Sequence, residues 1–276
     1  MLAVLLCLVL AGFFVFALCG SLLYWYETLN SPEERLPSFR PGVFFCLRQY
    51  VVSLGGSFLC VALFPFGPLL RRKVREKVGA VPVVMIHGLN NNAAVWLYLG
   101  KLADRAGFAV STYSYSSLFV PLDRIIAGLE AHMGRVEAAF PGKKPVLVCH
   151  SLGGLLARHW LERGENRERV AGLVTLGTPH GGSKLAVLAP GRLAEIIVPG
   201  SAFLEALREA KPLPFPCTAL VSPSDEAVLP ASGLLPPEGW TMRVTAATGH
   251  FSMLFWPSVG RQLLEELKQR EQQGAF

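Results

Sequence analysis

The first 23 residues contain neither a charged side chain nor a proline. As a helix, Met1 to Leu23 would be about 35 Å long, enough to cross a bilayer core of about 30 Å. Tyr24, Trp25 and Tyr26 follow directly, as an aromatic belt at a membrane surface would. The alternative is a cleaved signal peptide, which the missing basic n-region and the length of the run disfavour. The absence of charge therefore indicates a membrane segment.

Patterns typical of metal-binding, disulfide-rich and nucleic-acid-binding proteins are also missing. The six cysteines show neither a disulfide framework nor a zinc-binding spacing, and we read them as small apolar residues. No metal ion or other cofactor is predicted, although the sequence does not decide whether a structural calcium ion is bound. The net charge of +6 is not arranged as a basic stripe interleaved with aromatic residues. It therefore indicates membrane headgroups as partners rather than nucleic acid.

A second apolar run, Tyr50 to Leu70, is interrupted by glycine, serine and proline, so it either crosses a membrane or lies in its interface. The basic residues Arg71, Arg72, Lys73, Arg75 and Lys77 follow it. Such charges prefer the cytoplasmic leaflet, unless the segment is only a solvated linker. The basic residues favour a hairpin of two membrane spans, which leaves the rest of the chain on the cytoplasmic side of a bacterial inner membrane. If the second run lies on the surface, the rest of the chain faces the other side.

From about Ala80 the sequence alternates between short apolar runs and amphipathic helices, which is typical of an α/β domain with a mostly parallel sheet. We expect about six strands, with helices on both faces of the sheet. The predicted strands are Val81–Ile86, Phe108–Tyr115, Pro145–Cys149, Val170–Leu176, Cys217–Val221 and Met242–Ala246. The predicted helices are Ala93–Arg105, Leu122–Phe140, Leu152–Arg163 and Ser258–Gln273. The chain thus divides into an N-terminal membrane anchor, residues 1–78, and a folded domain, residues 79–276.

Residues 144–158 read as a buried strand, a sharp turn around Ser151 and a helix. This arrangement is a nucleophile elbow, in which a strained turn lifts a serine hydroxyl above the edge of the sheet. Gly153 and Gly154 leave room where strand and helix meet. Cys149 stands where glycine is usual, and because it is small we expect the turn to survive with tighter packing. Ser151 is therefore the predicted nucleophile.

A serine nucleophile needs a base, and the base needs a group that holds its tautomer. In this architecture the order along the chain is serine, carboxylate, histidine, each after a later strand. Asp225 and His250 occupy those positions, and Glu226 is an alternative to Asp225. The remaining histidines are expected elsewhere: His87 and His150 in structural roles near the site, His180 at its entrance, and His132 and His159 on helix surfaces.

Acyl transfer also needs backbone N–H groups that stabilise an oxyanion. One donor is expected to be Leu152, directly after the nucleophile. The second is expected from the loop after the first strand, where Gly88 permits the turn and Leu89 offers its N–H group.

These motifs together resemble the bacterial lipase and esterase branch of the α/β-hydrolase superfamily. The residues that carry the resemblance are His87-Gly88-Leu89, His150-Ser151-Leu152-Gly153-Gly154, the Gly-Thr-Pro-His-Gly-Gly block Gly177–Gly182, Asp225 and Gly249-His250. The similarity covers about Val81 to Val259. It implies an α/β-hydrolase fold and serine-dependent hydrolysis of carboxylic esters without a cofactor. In that branch the Gly-Thr-Pro-His-Gly-Gly block shapes the acyl pocket and leads into a lid.

An insertion at about residues 184–213 mixes leucine, isoleucine and phenylalanine with interleaved charges. Short amphipathic helices of this kind either cover an active site as a lid or simply pack on the domain. A lid beside a membrane anchor favours lipid esters with medium-to-long acyl chains as substrates. The same triad would also serve an acyltransferase or a thioesterase, and an inactive membrane scaffold is a third hypothesis. The sequence specifies neither the particular ester nor the oligomeric state.

Overall fold

The computed structural model describes residues 2–31 and 43–272. The two outer ends of the predicted helices, Met1 and Gln273, lie outside the described residues. The helices are α1 (Leu2–Asn30), α2 (Val43–Leu63), α3 (Gly67–Leu70), α4 (Leu97–Arg105), α5 (Leu122–Ala139), α6 (Leu152–Leu161), α7 (Ala202–Arg208) and α8 (Pro257–Gln272). Short 3₁₀ turns connect several of them, including Ala93–Trp96 and Ser252–Phe255.

The described part of the chain contains one six-stranded sheet, and every neighbouring pair of strands is parallel. The strands are β1 (Pro82–Ile86), β2 (Ala109–Tyr113), β3 (Val146–His150), β4 (Gly172–Leu176), β5 (Cys217–Val221) and β6 (Thr241–Val244), in the order β2-β1-β3-β4-β5-β6. The predicted α/β architecture with about six strands is therefore confirmed. The carboxyl ends of all strands meet at one edge, where an open α/β sheet places its ligands.

Helices cover both faces of the sheet and create two apolar layers. On one face α5 and α6 bury side chains such as Leu129 and Leu156. On the other face α4 and α8 bury side chains such as Leu99 and Leu263. Strands β1, β3 and β4 are buried along their whole length because both of their faces are covered.

One surface prediction was wrong, because His132 is buried rather than exposed. Its Nε2 atom lies 3.1 Å from the hydroxyl of Ser111 on β2. The reason is its position in α5, since Ile125, Leu129, His132 and Val136 follow the three- and four-residue spacing of one helix face. A hydroxyl on the neighbouring strand makes the burial of this imidazole possible.

The N-terminal helices pack against the loops at the carboxyl edge of the sheet. The Tyr24 hydroxyl of α1 donates to the carbonyl of Pro223 at 2.7 Å, and Glu27 forms an ion pair with Lys184 at 2.6 Å. Among the described residues, one helical stretch, Phe44–Leu70, is long and apolar enough to cross a membrane. It comprises most of α2 together with α3.

This stretch has two different faces. One face buries Gln49, Ser53 and Cys60, and Gly67 meets the side chain of Asn92. The contacts from Gln49 to Gly67 extend over about 27 Å of helix, so the helix lies along the domain. The opposite face exposes a row of large apolar side chains: Phe44, Leu47, Val51, Phe58, Val61 and Leu69.

The insertion at residues 184–213 is folded onto the domain. It contains two 3₁₀ turns, Lys184–Leu188 and Arg192–Ile197, and helix α7. Leu193 and Leu204 are buried in the layer under α5 and α6, whereas Val187 and Leu188 are exposed. The Ser183 hydroxyl donates to the carbonyl of Ala227 at 2.8 Å, which ties the start of the insertion to the loop after β5.

Candidate active site

Ser151 lies directly after β3 and has φ 53° and ψ −127°. Only one other non-glycine residue in the described chain, Asn90, has a positive φ. Such a conformation costs on the order of 1–3 kcal/mol and persists where the surrounding structure enforces it. The Ser151 N–H group donates to the carbonyl of Leu176 on β4 at 2.9 Å. The strained turn predicted for a nucleophile elbow is therefore present at this serine.

Close packing around this turn explains its small residues. A β-carbon at Gly153 would overlap the carbonyl oxygen of Ile86, and one at Gly154 would overlap the side chain of Thr178. Cys149 is fully buried on β3 in the layer under α5 and α6. Because its side chain points into that layer, it does not disturb the turn.

His250 and Asp225 form a buried pair at the same edge of the sheet. The His250 Nδ1 atom lies 2.7 Å from Asp225 Oδ2 and 2.9 Å from Oδ1. Oδ1 also accepts the N–H groups of Ala227 and Val228 at 3.0 and 3.2 Å, which fixes the carboxylate. A carboxylate cannot donate, so Nδ1 carries the proton and Nε2 of the neutral ring is left to act as a base.

The electrostatics around His250 favour the protonated ring. Burial alone would lower the pKa of His250, but the carboxylates of Asp225 and Glu226 outweigh it and raise the pKa above its usual value. A raised pKa makes the imidazole a stronger proton acceptor.

Ser151 and His250 lie on adjoining segments. The His150 Nε2–H group donates to the His250 carbonyl at 3.1 Å, and the two imidazole rings are 4.7 Å apart between centroids. Between the two segments, a β-carbon at Gly177 would lie 3.2 Å from His250 Nδ1. In the described chain no hydrogen bond of 3.5 Å or less joins the Ser151 hydroxyl to the His250 ring. In an unliganded site such bonds are often long and shorten when substrate binds.

His150 itself is neutral and structural in this arrangement. Burial, reinforced by the neighbouring His250, lowers its pKa well below the usual value. Its ring links β3 to the loop that carries His250, so it holds together the segments that carry Ser151 and His250.

The loop after β1 is held rigidly beside the serine. His87 Nδ1–H donates to the Gly88 carbonyl at 2.9 Å, and its Nε2 accepts the Tyr115 N–H group at 3.1 Å. The imidazole stacks on the Tyr115 ring at 4.2 Å, and burial lowers the pKa of His87 to about 4. The N–H group of Asn90 donates to the Ser117 hydroxyl at 2.7 Å. His87 is therefore a neutral support for the loop.

Two backbone N–H groups close to the serine remain available. In the described chain neither Leu89 nor Leu152 donates its N–H group to a backbone carbonyl. Leu152 is the first residue of α6, where helix N–H groups are free and the helix dipole favours negative charge. Gly88 packs closely on the serine, since a β-carbon there would lie 2.7 Å from the β-carbon of Ser151.

Glu226, the alternative to Asp225, contacts the backbone of His250 instead of its ring. Its Oε2 atom accepts the His250 N–H group at 3.1 Å and the amide of Gln49 at 3.5 Å. Burial, and next the charge of Asp225, raises the pKa of Glu226. This carboxylate joins α2 to the loop that carries the histidine.

The structure identifies further supporting residues that the sequence analysis missed. Thr178 donates to the Ser151 carbonyl at 2.9 Å, and the hydroxyl of Ser224 donates to the Thr248 carbonyl at 3.0 Å. Thr178 belongs to the Gly-Thr-Pro-His-Gly-Gly block, so the motif marked its position without indicating this bond. Gln49 gave no such signal, because it precedes Glu226 by 177 residues.

His180 is buried beside the insertion. Its Nδ1 atom is 3.2 Å from the Arg158 guanidinium, and its Nε2 atom is 3.3 Å from the Thr175 hydroxyl. Burial, and next the charge of Arg158, lowers its pKa well below the usual value. It lines a cavity of about 620 Å³ together with Leu204 and Trp240. His159, by contrast, is half-exposed on α6. In the described residues no cluster of three or more histidine, cysteine or acidic side chains is arranged around a metal position.

Comparisons with known proteins agree with this architecture. Residues 81–195 match a family model described as the α/β hydrolase fold. The structure is similar to the lipase BlEst2 of Bacillus licheniformis, with a TM-score of 0.54 and 21% identity over 72% of this chain and 95% of the lipase. It is also similar to lipase B of Aspergillus fumigatus, with a TM-score of 0.55 and 18% identity over 64% of this chain and 50% of the lipase. No curated protein matches the sequence.

At these identities the similarity to solved structures establishes the fold alone. The family match covers the segment that contains β1, the Ser151 turn and β4. The strand order and the turn at Ser151 agree with it. The domain that begins at Val81 is thus an α/β-hydrolase-fold domain.

Proposed function

We propose that this protein is a membrane-associated serine hydrolase that cleaves carboxylic esters. Ser151 is the nucleophile, His250 is the general base and acid, and Asp225 orients the imidazole. The observation that carries the proposal is the strained Ser151 turn beside a buried His250–Asp225 pair. A hydroxyl on such a turn next to an oriented imidazole is suited to acyl transfer.

The reaction proceeds in two halves. His250 Nε2 accepts the proton of the Ser151 hydroxyl while the oxygen attacks the ester carbonyl carbon. The N–H groups of Leu89 and Leu152 bind the oxyanion of the tetrahedral intermediate. When the intermediate collapses, the alcohol leaves with the proton from His250 and an acyl-enzyme remains. Water then attacks the acyl-enzyme with His250 as base, and the acid is released.

Exposed apolar side chains near the insertion favour lipid esters as substrates. Val187 and Leu188 of the insertion are exposed, and so are Leu118 and Phe119 after β2. The insertion reaches this second segment at Gly191, where a β-carbon would lie 3.2 Å from the α-carbon of Leu118. An apolar rim of this kind suits medium-to-long acyl chains and a lipid surface, with the insertion acting as a lid.

Membrane association is proposed from the exposed face of α2. The helix lies along the domain, so we propose that its row of apolar side chains enters the lipid while the opposite face keeps its contacts with the domain. Residues 1–78 would then be the anchor. The basic residues from Arg71 to Lys77 follow this stretch directly and would meet the anionic headgroups of a bacterial inner membrane.

A Ser151→Ala variant tests the proposed chemistry. In detergent, wild-type protein should react with a fluorophosphonate probe and hydrolyse p-nitrophenyl esters, glycerides or phospholipids. Ser151→Ala should lose the label and at least about 10³-fold of the activity, because the nucleophile is absent. Ser232→Ala, a serine outside the site, should behave as wild type.

Equal labelling of wild type and Ser151→Ala would contradict the proposal, as would a folded wild type that never reacts. Product analysis with water, an alcohol or an amine as acceptor distinguishes a hydrolase from an acyltransferase that uses the same residues.

A further inference from the structure

A second pocket, of about 320 Å³, lies outside the catalytic site beside the edge strand β2. It is formed by the segment after β2, by one face of α5 and by the residue that follows α3. Three arginines line it, Arg71, Arg124 and Arg135, and we name it the arginine pocket. The side chains of Tyr113, Ser114 and Ser116 also line it, and no carboxylate does among the described residues.

The two arginines of α5 are arranged on one helix face. Arg124, Gly128, Ala131 and Arg135 follow the four- and three-residue spacing of a single stripe, and the two arginines are about 16 Å apart along the axis. Gly128 packs on β2, because a β-carbon there would lie 2.6 Å from the Tyr113 hydroxyl. The small residues Gly128 and Ala131 leave a shallow depression between the positively charged Arg124 and Arg135.

The positive charge of the pocket is not neutralised by the protein that the structure describes. All three acidic residues of α5 are already paired with other partners: Asp123 with Arg163 at 3.2 Å, and Glu130 and Glu137 with Arg169 at 2.8 and 2.6 Å. None of the three arginines of the pocket forms an ion pair within residues 2–31 and 43–272. Their guanidinium groups therefore remain available to an external anion.

Two arginines of the pocket also act on the same buried groups. Burial, and next Arg135 and Arg71, lowers the pKa of His132 to about 4. Both arginines also oppose the rise that burial causes in the pKa of Tyr113. Their fields therefore overlap at one place, as a binding site for negative charge requires.

The position of the pocket indicates where its anion comes from. Arg71 directly follows Leu70, the end of the apolar stretch Phe44–Leu70. Val120 lines the pocket, and the preceding Phe119 is 88% exposed. Basic side chains beside exposed apolar residues meet the phosphate layer when the apolar residues enter a bilayer.

We propose that the arginine pocket binds the phosphate of an anionic phospholipid headgroup. The guanidinium groups donate hydrogen bonds to the phosphate oxygens, and the lipid tails extend along Phe119 and the apolar end of α3. Three arginines without a carboxylate repel a choline cation, so anionic lipids are preferred over phosphatidylcholine. The inference rests on the membrane association proposed above, and it is independent of ester hydrolysis.

The test uses the full chain in a neutral detergent, with Ser151→Ala present in every sample so that the probe is not cleaved. Binding of phosphatidylglycerol with a fluorescent acyl chain is followed by anisotropy. Arg124→Gln/Arg135→Gln removes two charges of the pocket. Arg105→Gln/Arg261→Gln is the matched control, because both arginines are exposed on α4 and α8 outside the pocket.

The pocket variant should bind the probe roughly 30-fold more weakly, since each basic residue near an anionic lipid contributes about fivefold. The control should stay within about twofold, and phosphatidylcholine should bind weakly to all samples. Equal losses in both double variants, or none in either, would overturn the proposal. So would tight binding of inorganic phosphate without binding of the lipid, because the ligand would then be a soluble phosphate. Ester hydrolysis is measured separately on protein with Ser151, so its failure would not affect this result.

Discussion

Ser151 combines backbone strain with a position where a hydroxyl is useful. Its φ of 53° is a conformation that a non-glycine residue adopts only when neighbours enforce it. Here the hydrogen bond to Leu176 and the close approach of Gly88 and Gly153 provide that restraint. The strain therefore belongs to the proposed function rather than to stability.

Glu226 offers a test of the charge around His250. The active base is the neutral imidazole, so kcat/KM should rise with pH as His250 loses its proton. Because the Glu226 carboxylate helps to raise the pKa of His250, Glu226→Gln should lower that pKa. The acidic limb of the pH profile should move to lower pH by roughly 0.5–1 unit, which corresponds to about 1 kcal/mol of charge interaction. The amide oxygen can still accept the His250 N–H group.

An unchanged limb, or a limb that moves to higher pH, would show that Glu226 has no electrostatic role. The comparison variant is Asp225→Asn, which removes the partner of Nδ1 itself. It should lower kcat by about 10³–10⁴-fold, because the ring would no longer be held in the reactive tautomer. Similar losses in Asp225→Asn and Glu226→Gln would contradict the assignment of Asp225 to the imidazole.

At the residue scale the sequence predicted the strained turn at Ser151 well because the turn is local. Strand, serine, glycines and helix lie within 15 residues, and their chemistry fixes their geometry. Asp225 and Glu226 were left open because neighbouring residues point in different directions, and only the fold decides which carboxylate meets the ring. His132 was misjudged from its polarity, although its spacing placed it on the apolar face of α5.

Helix α2 is the element whose contacts with the domain the sequence did not predict. Its composition indicates a membrane segment, but no local pattern indicates the domain contacts of Gln49, Ser53 and Gly56. Those partners, Glu226 and the residues around His250, lie about 180 to 200 residues later in the chain. The strands and amphipathic helices were predictable because their periodicity is local.

A pair of neighbouring glycines in α2 tests its contact with the loop that carries His250. A β-carbon at Gly56 would overlap Ser252, two residues after His250, whereas one at Gly55 would meet nothing within 4 Å. Gly56→Ala should therefore shift the helix or the loop and lower kcat/KM by about tenfold or more, since misplacement of about 1 Å is costly in catalysis. Gly55→Ala should leave activity unchanged and stabilise the helix by about 1 kcal/mol.

Gly56→Ala and Gly55→Ala are compared with wild type by ester hydrolysis and thermal unfolding in the same detergent. If both variants kept wild-type kinetics, α2 would not be seated on the loop as described.

On the scale of the whole molecule, the large exposed apolar side chains of the described chain are concentrated on the two N-terminal helices, for example Leu18 and Leu22 on α1 and Val51 and Phe58 on α2. On α2 they form the outer face, opposite its contacts with the domain. Apolar area of this size on one side is typical of a protein that meets a lipid surface. Neither the strand order nor the Ser151 turn requires these exposed apolar side chains.

Replacing Leu47, Val51 and Phe58 by glutamine tests this surface. Wild-type protein should require detergent for extraction from membranes, and the triple variant should be extracted at a lower detergent concentration, because about 0.8 kcal/mol is lost for each buried methylene group while α1 keeps its own exposed apolar side chains. Hydrolysis of a soluble ester should be unchanged, since these side chains point away from the domain.

The matched control replaces Leu97, Leu235 and Val244, exposed apolar residues on other surfaces. Its extraction should match that of wild type. If the triple α2 variant needed the same detergent concentration as wild type, the outer face of α2 would not contribute to membrane binding.

The packing of α2 on the domain also affects how a soluble enzyme could be obtained. Cutting the chain just before β1 would remove every apolar residue of the anchor. It would also expose to water the side of the His250 loop that α2 covers. Glu226 would lose its amide partner, and Ser252 would lose the carbonyl of Val52. A shortened protein is therefore expected to be soluble and poorly active. Polar substitutions on the exposed faces of α1 and α2 are the better route, because they keep the contacts of both helices with the domain intact.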